Sequence, residues 1–214
     1  MPRTPIHLHP TNQLAERVLL PGDPGRAMLL AQELVDGPKM FNHHRGLWGY
    51  TGPAKADGEL LTVQATGIGG PSAALILGEL AALGATRAVR VGTGRSSALS
   101  VGSVAVADEV RGEDGTSAAL SDARTFAPDP ALRARLSGDA AGLVVSRDVY
   151  VEDGRADGAL ATDLSSAAVL AAGAVHGVAV AVVLGIVPGD AVLAEDEAKA
   201  IAERVGRAGF AALT

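Results

Sequence analysis

The chain contains no cysteine among its 214 residues. That absence removes a disulfide scaffold, a thiol nucleophile and a cysteine-based zinc site together. Aromatic side chains are also scarce, with one Trp, two Tyr and three Phe. Positive charge is short as well: 18 Lys and Arg against 24 Asp and Glu give a net charge of −6. Nucleic acid is therefore not the expected partner, because its binding draws on clustered Lys and Arg. Any phosphate site must be local. The apolar runs are short and broken by Gly, Asp or Arg, so no membrane segment is expected. The start, Met1-Pro2-Arg3-Thr4-Pro5-Ile6-His7, lacks the apolar stretch of a secretory signal, which makes the cytoplasm the expected compartment.

What is present is a globular composition, 48% hydrophobic, at a length suited to one domain over residues 1–214. An apolar strand at 18–20 runs through Pro21-Gly22-Asp23-Pro24-Gly25-Arg26 into a helical pattern at 27–34. The same logic returns with a strand at 60–65, the turn Gly67-Ile68-Gly69-Gly70-Pro71-Ser72 and a helix at 73–83 that stops at Gly84. Further strands are expected at 87–91, 103–107 and 143–146. A long β-branched run at 178–187 suits a central strand. Helices are expected at 165–175 and 195–212, and residues 111–142 read as a polar excursion with one helix near 130–136. Strands alternating with helices imply an α/β fold: a single three-layer α/β/α domain around a central mixed β-sheet.

Two glycine-rich turns carry the chemistry. Gly22 with Arg26 joins free backbone N–H groups to a permanently charged fork, an arrangement suited to an oxyanion. Arg90 ends an apolar strand, where a charge needs either an anion or a buried carboxylate partner, and Gly92-Thr93-Gly94 follows with more backbone donors. No histidine stands at metal-ligand spacing backed by carboxylates, so no metal site is expected. Phe41, Trp48 and Tyr50 fall close together and are expected to pack a hairpin.

Several segments, in order, resemble the nucleoside phosphorylase family, which includes bacterial hexameric purine nucleoside phosphorylase and uridine phosphorylase. They are Ile6-His7, Leu20 to Ala27, Asn42 to Gly52, Thr66 to Ser72 and Arg90 to Thr93. The resemblance is close over residues 4–110. It implies phosphorolysis of a nucleoside, with inorganic phosphate as co-substrate and no cofactor. By the same resemblance Gly22, Arg26, Arg90 and Thr93 hold phosphate, and Arg45 reaches it from a neighbouring subunit. His7 crosses a dimer interface to the ribose 5′-hydroxyl. Tyr150 stands where the family stacks a ring on the base. The family gives no role to His9, His43, His44 or His176, which are expected to be surface or structural. Lending residues to a neighbour implies a homo-oligomer, from a dimer to a hexamer built as three dimers.

The chain departs from the family on the nucleoside side. Where the family carries Glu-Met-Glu, whose second carboxylate grips the ribose hydroxyls, this chain has Asp163-Leu164-Ser165. Ser165 brings a hydroxyl but no charge. The stretch between Tyr150 and Asp163 is shortened. Pro188 falls at the position of the family's catalytic acid and has no proton to give, which leaves Asp190 as the candidate acid. The readings carried forward are a purine nucleoside phosphorylase, a uridine phosphorylase, and a paralogue that binds phosphate without turning over nucleosides. A water-using nucleosidase has less reason to keep three arginines around an anion.

Overall fold

A computed structural model describes residues 5–150, 158–189 and 191–214. In chain order its strands are β1 (Arg17–Leu20), β2 (Lys39–Asn42), β3 (Gly49–Pro53), β4 (Leu60–Gln64), β5 (Arg87–Gly94), β6 (Val104–Glu113), β7 (Thr125–Phe126), β8 (Ala140–Arg147), β9 (Ala161–Asp163) and β10 (Ala179–Ile186). The helices are α1 (Pro24–Leu34), α2 (Gly69–Leu83), α3 (Gly115–Leu120), α4 (Pro130–Arg135), α5 (Ser166–His176) and α6 (Glu195–Ala211).

All ten strands join one mixed sheet in the order β2-β3-β4-β1-β5-β10-β6-β8-β9, with β7 paired to β6. Its middle, β4-β1-β5-β10, is parallel, and β10 meets β6 in antiparallel register. Because strand side chains alternate, the central strands feed two separate cores. Val180, Val182, Leu184 and Ile186 of β10 join one face with α2 and α5, while Ala181 and Val183 join the other with α1 and α6. Strands buried on both sides need the continuous apolar run seen at 178–187. The expected three-layer α/β/α architecture is what forms.

Three expectations need correction. The glycine-rich turn expected at 92–94 is strand: β5 runs to Gly94, and Gly92, Thr93 and Gly94 pair with Leu184, Gly185 and Ile186 of β10. Residues 111–142 are no single-helix excursion: β6 extends to Glu113, α3, β7 and α4 follow, and β8 begins at Ala140. The polar texture there is strand alternation on a half-exposed surface. Val110 and Gly112 point inward, and Glu113 lies outside between Arg111 and Arg147, which bond it at 3.0 and 2.9 Å. The aromatic hairpin does form from β2 and β3 with Phe41 fully buried, but Trp48 remains 38% exposed and is not core.

Candidate functional site

The strands β1 and β4 are parallel neighbours, yet the chain leaves β1 for α1 on one face and leaves β4 for α2 on the other. A crevice opens at such a switch, outside the carboxyl ends of the strands. A cleft of about 600 Å³ lies there. Gly22, Arg26, Arg45, Arg90 and Thr93, the residues expected to hold phosphate, all line it. So do Tyr150, Leu164 and Ser165 from the set expected on the nucleoside side.

Local sequence explains how the walls form. Asp23 caps α1, its side chain accepting the Arg26 N–H at 2.7 Å, and Pro24 fills a first-turn position where no N–H is needed. Gly22, Asp23 and Pro24 thus present the start of α1 to the cleft. The start of α2 faces the same space through Gly67, Ile68 and Gly69, and no side chain caps it. Gly67 must be glycine: its φ is +77°, and a Cβ there would lie 2.6 Å from the Ser72 hydroxyl. Two helix N-termini therefore turn their partial positive charge toward one cavity.

The arginines add full charges. Arg90 is only 6% exposed. One of its nitrogens donates to the Leu20 carbonyl at 2.9 Å and another contact reaches the Thr66 hydroxyl at 3.4 Å, while Nε is buried without a partner. Among the described residues no carboxylate pairs with Arg90, Arg26 or Arg45. The buried-carboxylate reading of Arg90 finds no partner among the described residues. Burial pushes its pKa down to about 10; Asp163 opposes that shift and Arg26 adds to it. The guanidinium is still charged at neutral pH and has no carboxylate counter-ion among the described residues. Burial also lowers the Arg26 pKa, against the pull of Asp23.

Arg45 sits in a short 3₁₀ turn, His44–Gly46, at φ 57° and ψ 19°, the left-handed region a non-glycine residue rarely enters. Its surroundings over-determine that conformation. Asn42 and Gln64, both fully buried, donate to the Leu47 carbonyl, and the His9 ring stacks on His44 with centroids 3.8 Å apart. Strain held in place by buried amides beside a ligand cleft is a mark of a functional position. Arg45 lines the cleft of its own chain, whereas the resemblance brings it from a neighbour.

On the nucleoside side the structure corrects the expectation for Asp163. This carboxylate is 1% exposed and fully engaged: Ser146 and Ser166 hydroxyls donate to it, Ser166 N–H donates at 3.0 Å, and Ser165 Oγ lies at 3.4 Å. Asp163 ties β9 and β8 to the start of α5 and does not line the cleft. Leu164 and Ser165 do. His7 is held by α2: its Nδ1 meets Glu79 at 2.7 Å, and the backbone N–H groups of Ile6, His7 and Leu8 donate to the same carboxylate at 2.8–3.0 Å. That bond leaves Nε2 as the free ring nitrogen, and His7 does not line its own chain's cleft. Asp190 lies outside the described residues.

Sequence reasoning missed one wall of the cleft and one residue packed behind its lining. The wall Gly67-Ile68-Gly69 could have been found from its glycines between a strand and a helix. Arg95, with its guanidinium carbon 3.6 Å from the centre of the Tyr150 ring, gave only the signal of a second arginine just after Gly94. Among the described residues no group of three or more His, Asp or Glu side chains is placed to hold a metal ion, and no helix is long and apolar enough to cross a membrane.

Fold and cleft together define an α/β protein with a cationic, glycine-walled ligand site at the carboxyl ends of its parallel strands. Comparison with known proteins makes this specific. The chain belongs to the phosphorylase superfamily, whose family model matches residues 16–213. A purine nucleoside phosphorylase of the DeoD type from Exiguobacterium is 36% identical over 140 residues, 62% of this chain and 58% of that protein. Its counterpart in Geobacillus kaustophilus is 44% identical over 84 residues, 39% of this chain and 35% of that protein. The chain thus matches these curated relatives over less than two thirds of their length. Among solved structures, uridine phosphorylase from Vibrio fischeri ES114 superimposes with a TM-score of 0.80 at 27% identity, covering 94% of this chain and 92% of that one. The same enzyme complexed with 6-hydroxy-1-naphthoic acid gives 0.79 at 26% identity, with 94% and 91% covered.

Proposed function

We propose that this protein is a nucleoside phosphorylase that cleaves the N-glycosidic bond of a purine nucleoside with inorganic phosphate, releasing free base and a pentose 1-phosphate. The observation that carries this reading is the convergence of Arg26, Arg45 and Arg90, without carboxylate partners among the described residues, on one glycine-walled cleft. Such a site holds phosphate as a nucleophile against the anomeric carbon and balances charge as the sugar becomes oxocarbenium-like. This is catalysis by positioning and electrostatics, with no covalent enzyme intermediate and no metal or organic cofactor. Relatives named as purine nucleoside phosphorylases and neighbours named as uridine phosphorylases support the reaction class and differ in the base.

The test is release of free base from inosine, guanosine, adenosine and uridine with and without phosphate. Phosphate-dependent release is expected, with a purine nucleoside the best substrate. Equal release without phosphate means hydrolysis and overturns the proposal. A second reading, a phosphate-binding protein without turnover, is favoured by the commitment of Asp163 to its own fold and by the neutral Ser165 at the cleft. No turnover of any nucleoside at high protein concentration, with phosphate binding retained, selects it. By the same reading it is expected to act in the cytoplasm as a homo-oligomer, a dimer or a trimer of dimers; a monomer by sedimentation contradicts the assembly.

A further inference from the structure

Arg95 stands two residues beyond the cleft residue Thr93, and its backbone is fixed: its N–H donates to the Thr162 carbonyl at 2.9 Å and its carbonyl accepts from the Thr162 N–H at 2.8 Å. That bridge sits next to Asp163 and Leu164, so the start of the Arg95 side chain is anchored at the rim of the site. The guanidinium carbon lies 3.6 Å from the ring centre of Tyr150, itself a cleft residue, 37% exposed. Cation–π stacking of this kind uses the face of the guanidinium and leaves its in-plane N–H donors free. Among the described residues no carboxylate pairs with Arg95 and no hydrogen bond engages its side chain. A half-buried arginine stacked on a residue of the cleft wall, its donors uncommitted among the described residues, is built to receive an acceptor.

We infer that Arg95 reads the base: held over Tyr150, it donates to two adjacent acceptors on the departing heterocycle and so selects 6-oxopurine nucleosides over 6-aminopurine ones. This rests on the phosphorylase reading and adds the substrate class. Arginine has donors only. A 6-oxopurine presents O6 and N7 as neighbouring acceptors, the pair that arginine binds with both prongs, whereas a 6-aminopurine puts a donor at that edge. As the C1′–N9 bond breaks, its electron pair passes to the base and a phosphate oxygen bonds to C1′. Arg95 stabilises the charge arriving on the base but transfers no proton, and the proton of hydrogen phosphate ends on the base. The role suits a chain with Pro188 where its family has an acid.

The experiment compares kcat/KM for inosine and adenosine in the wild type, Arg95→Ala, Arg95→Gln and Arg95→Lys. The wild type is expected to favour inosine about tenfold or more, the discrimination typical of one bidentate pair. Arg95→Ala is expected to level the two substrates with the KM for phosphate unchanged. Arg95→Gln, whose amide matches N6 and N7 of adenine, is expected to tip the ratio toward adenosine. If Arg95 merely props Tyr150, every substitution lowers both substrates alike and the ratio stays put, which overturns the inference. Arg95→Lys keeps charge and stem where the alanine variant fails to fold, and it too is expected to shrink the ratio. Should the wild type turn over no nucleoside, the phosphorylase reading fails by itself. Calorimetric binding of hypoxanthine against adenine then decides Arg95, and equal affinity overturns its role.

Discussion

Inorganic phosphate should raise the melting temperature of this protein, and Arg90→Met should remove that effect while leaving the ligand-free protein nearly as stable. The reasoning starts from a buried guanidinium with an unpartnered Nε and no carboxylate beside it among the described residues. An anion bound only by the native state stabilises it by about 2.7 kcal/mol at a hundredfold excess over Kd. In a chain of 214 residues each kcal/mol moves Tm by about 2–4 °C, which gives a shift of about 5–11 °C. Methionine in place of Arg90 loses the bond to the Leu20 carbonyl, worth about 1 kcal/mol, but also removes an uncompensated buried charge. The two effects oppose, so the ligand-free Tm should stay within about 5 °C of wild type, while phosphate affinity falls about tenfold or more with the lost charged hydrogen bonds. The sign with pH follows. Burial lowers the Arg90 pKa only to about 10 and a bound anion opposes that shift, so Arg90 stays charged and the phosphate-induced shift should persist at pH 8. Scanning calorimetry in phosphate and in chloride at matched ionic strength measures all of this. An unchanged phosphate shift in Arg90→Met would refute the reasoning.

Arg45→Gly should raise the denaturation midpoint, because glycine enters the left-handed region without the penalty of about 1 kcal/mol, yet weaken phosphate binding; a loss of both stability and binding contradicts a strained, functional Arg45. Asp163→Ala should destabilise by about 2–4 kcal/mol, since it strands the Ser146 and Ser166 hydroxyls and uncaps α5. Ser165→Ala should change the KM for nucleoside with little effect on Tm, and the reverse pattern in this pair refutes the assignment of Asp163 to structure. For Glu79, burial alone raises the pKa, but the N–H groups of Ile6, Leu8 and His7 outweigh it and hold it below the usual carboxylate value. A depressed acid contributes stability that is present above its unfolded pKa of about 4.3 and lost as pH falls through the lower folded one. The amides of Ile6, His7 and Leu8 should therefore lose protection against hydrogen exchange, relative to intrinsic rates, below that range, with Glu79→Gln losing it at neutral pH; undiminished protection at pH 3 contradicts it.

The convergence of Gly22, Arg26, Arg90 and Thr93 on one cleft was legible because its chemistry is local. A strand, a glycine turn and a helix start are contiguous in Leu20 to Arg26, so backbone donors and their arginine arrive together wherever the fold puts them. The strands β1, β4 and β5 were likewise readable as short apolar runs, and the central place of β10 from a longer run buried on both faces, while the strand order was not. Asp163 was misread because its acceptors are satisfied by Ser146, seventeen residues away in the chain and adjacent only through the β8–β9 pairing. Arg95 was passed over for a similar reason: its significance lies in a ring that the sheet brings to it from residue 150. The polar strand end at 108–113 was hidden because alternation with charged residues looks like a loop until β8 covers one side.

This difference has a consequence for the chemistry. Residues that bind phosphate act through charges that short turns deliver, so they survive changes elsewhere in the chain. Residues that bind the nucleoside depend on β8, β9 and the start of α5 being in register, and here one carboxylate is already spent on that register. On the proposed phosphorylase reading, the neutral Ser165 leaves the sugar to be held mainly by shape and by neutral hydrogen bonds, and discrimination shifts to the base. On the inference above Arg95 supplies it, its backbone belonging to the Thr162 bridge that leads into Leu164 and Ser165. Thus disturbing the β8–β9 register should impair nucleoside turnover while phosphate still raises Tm, because Gly22, Arg26, Arg45 and Arg90 stand on other elements.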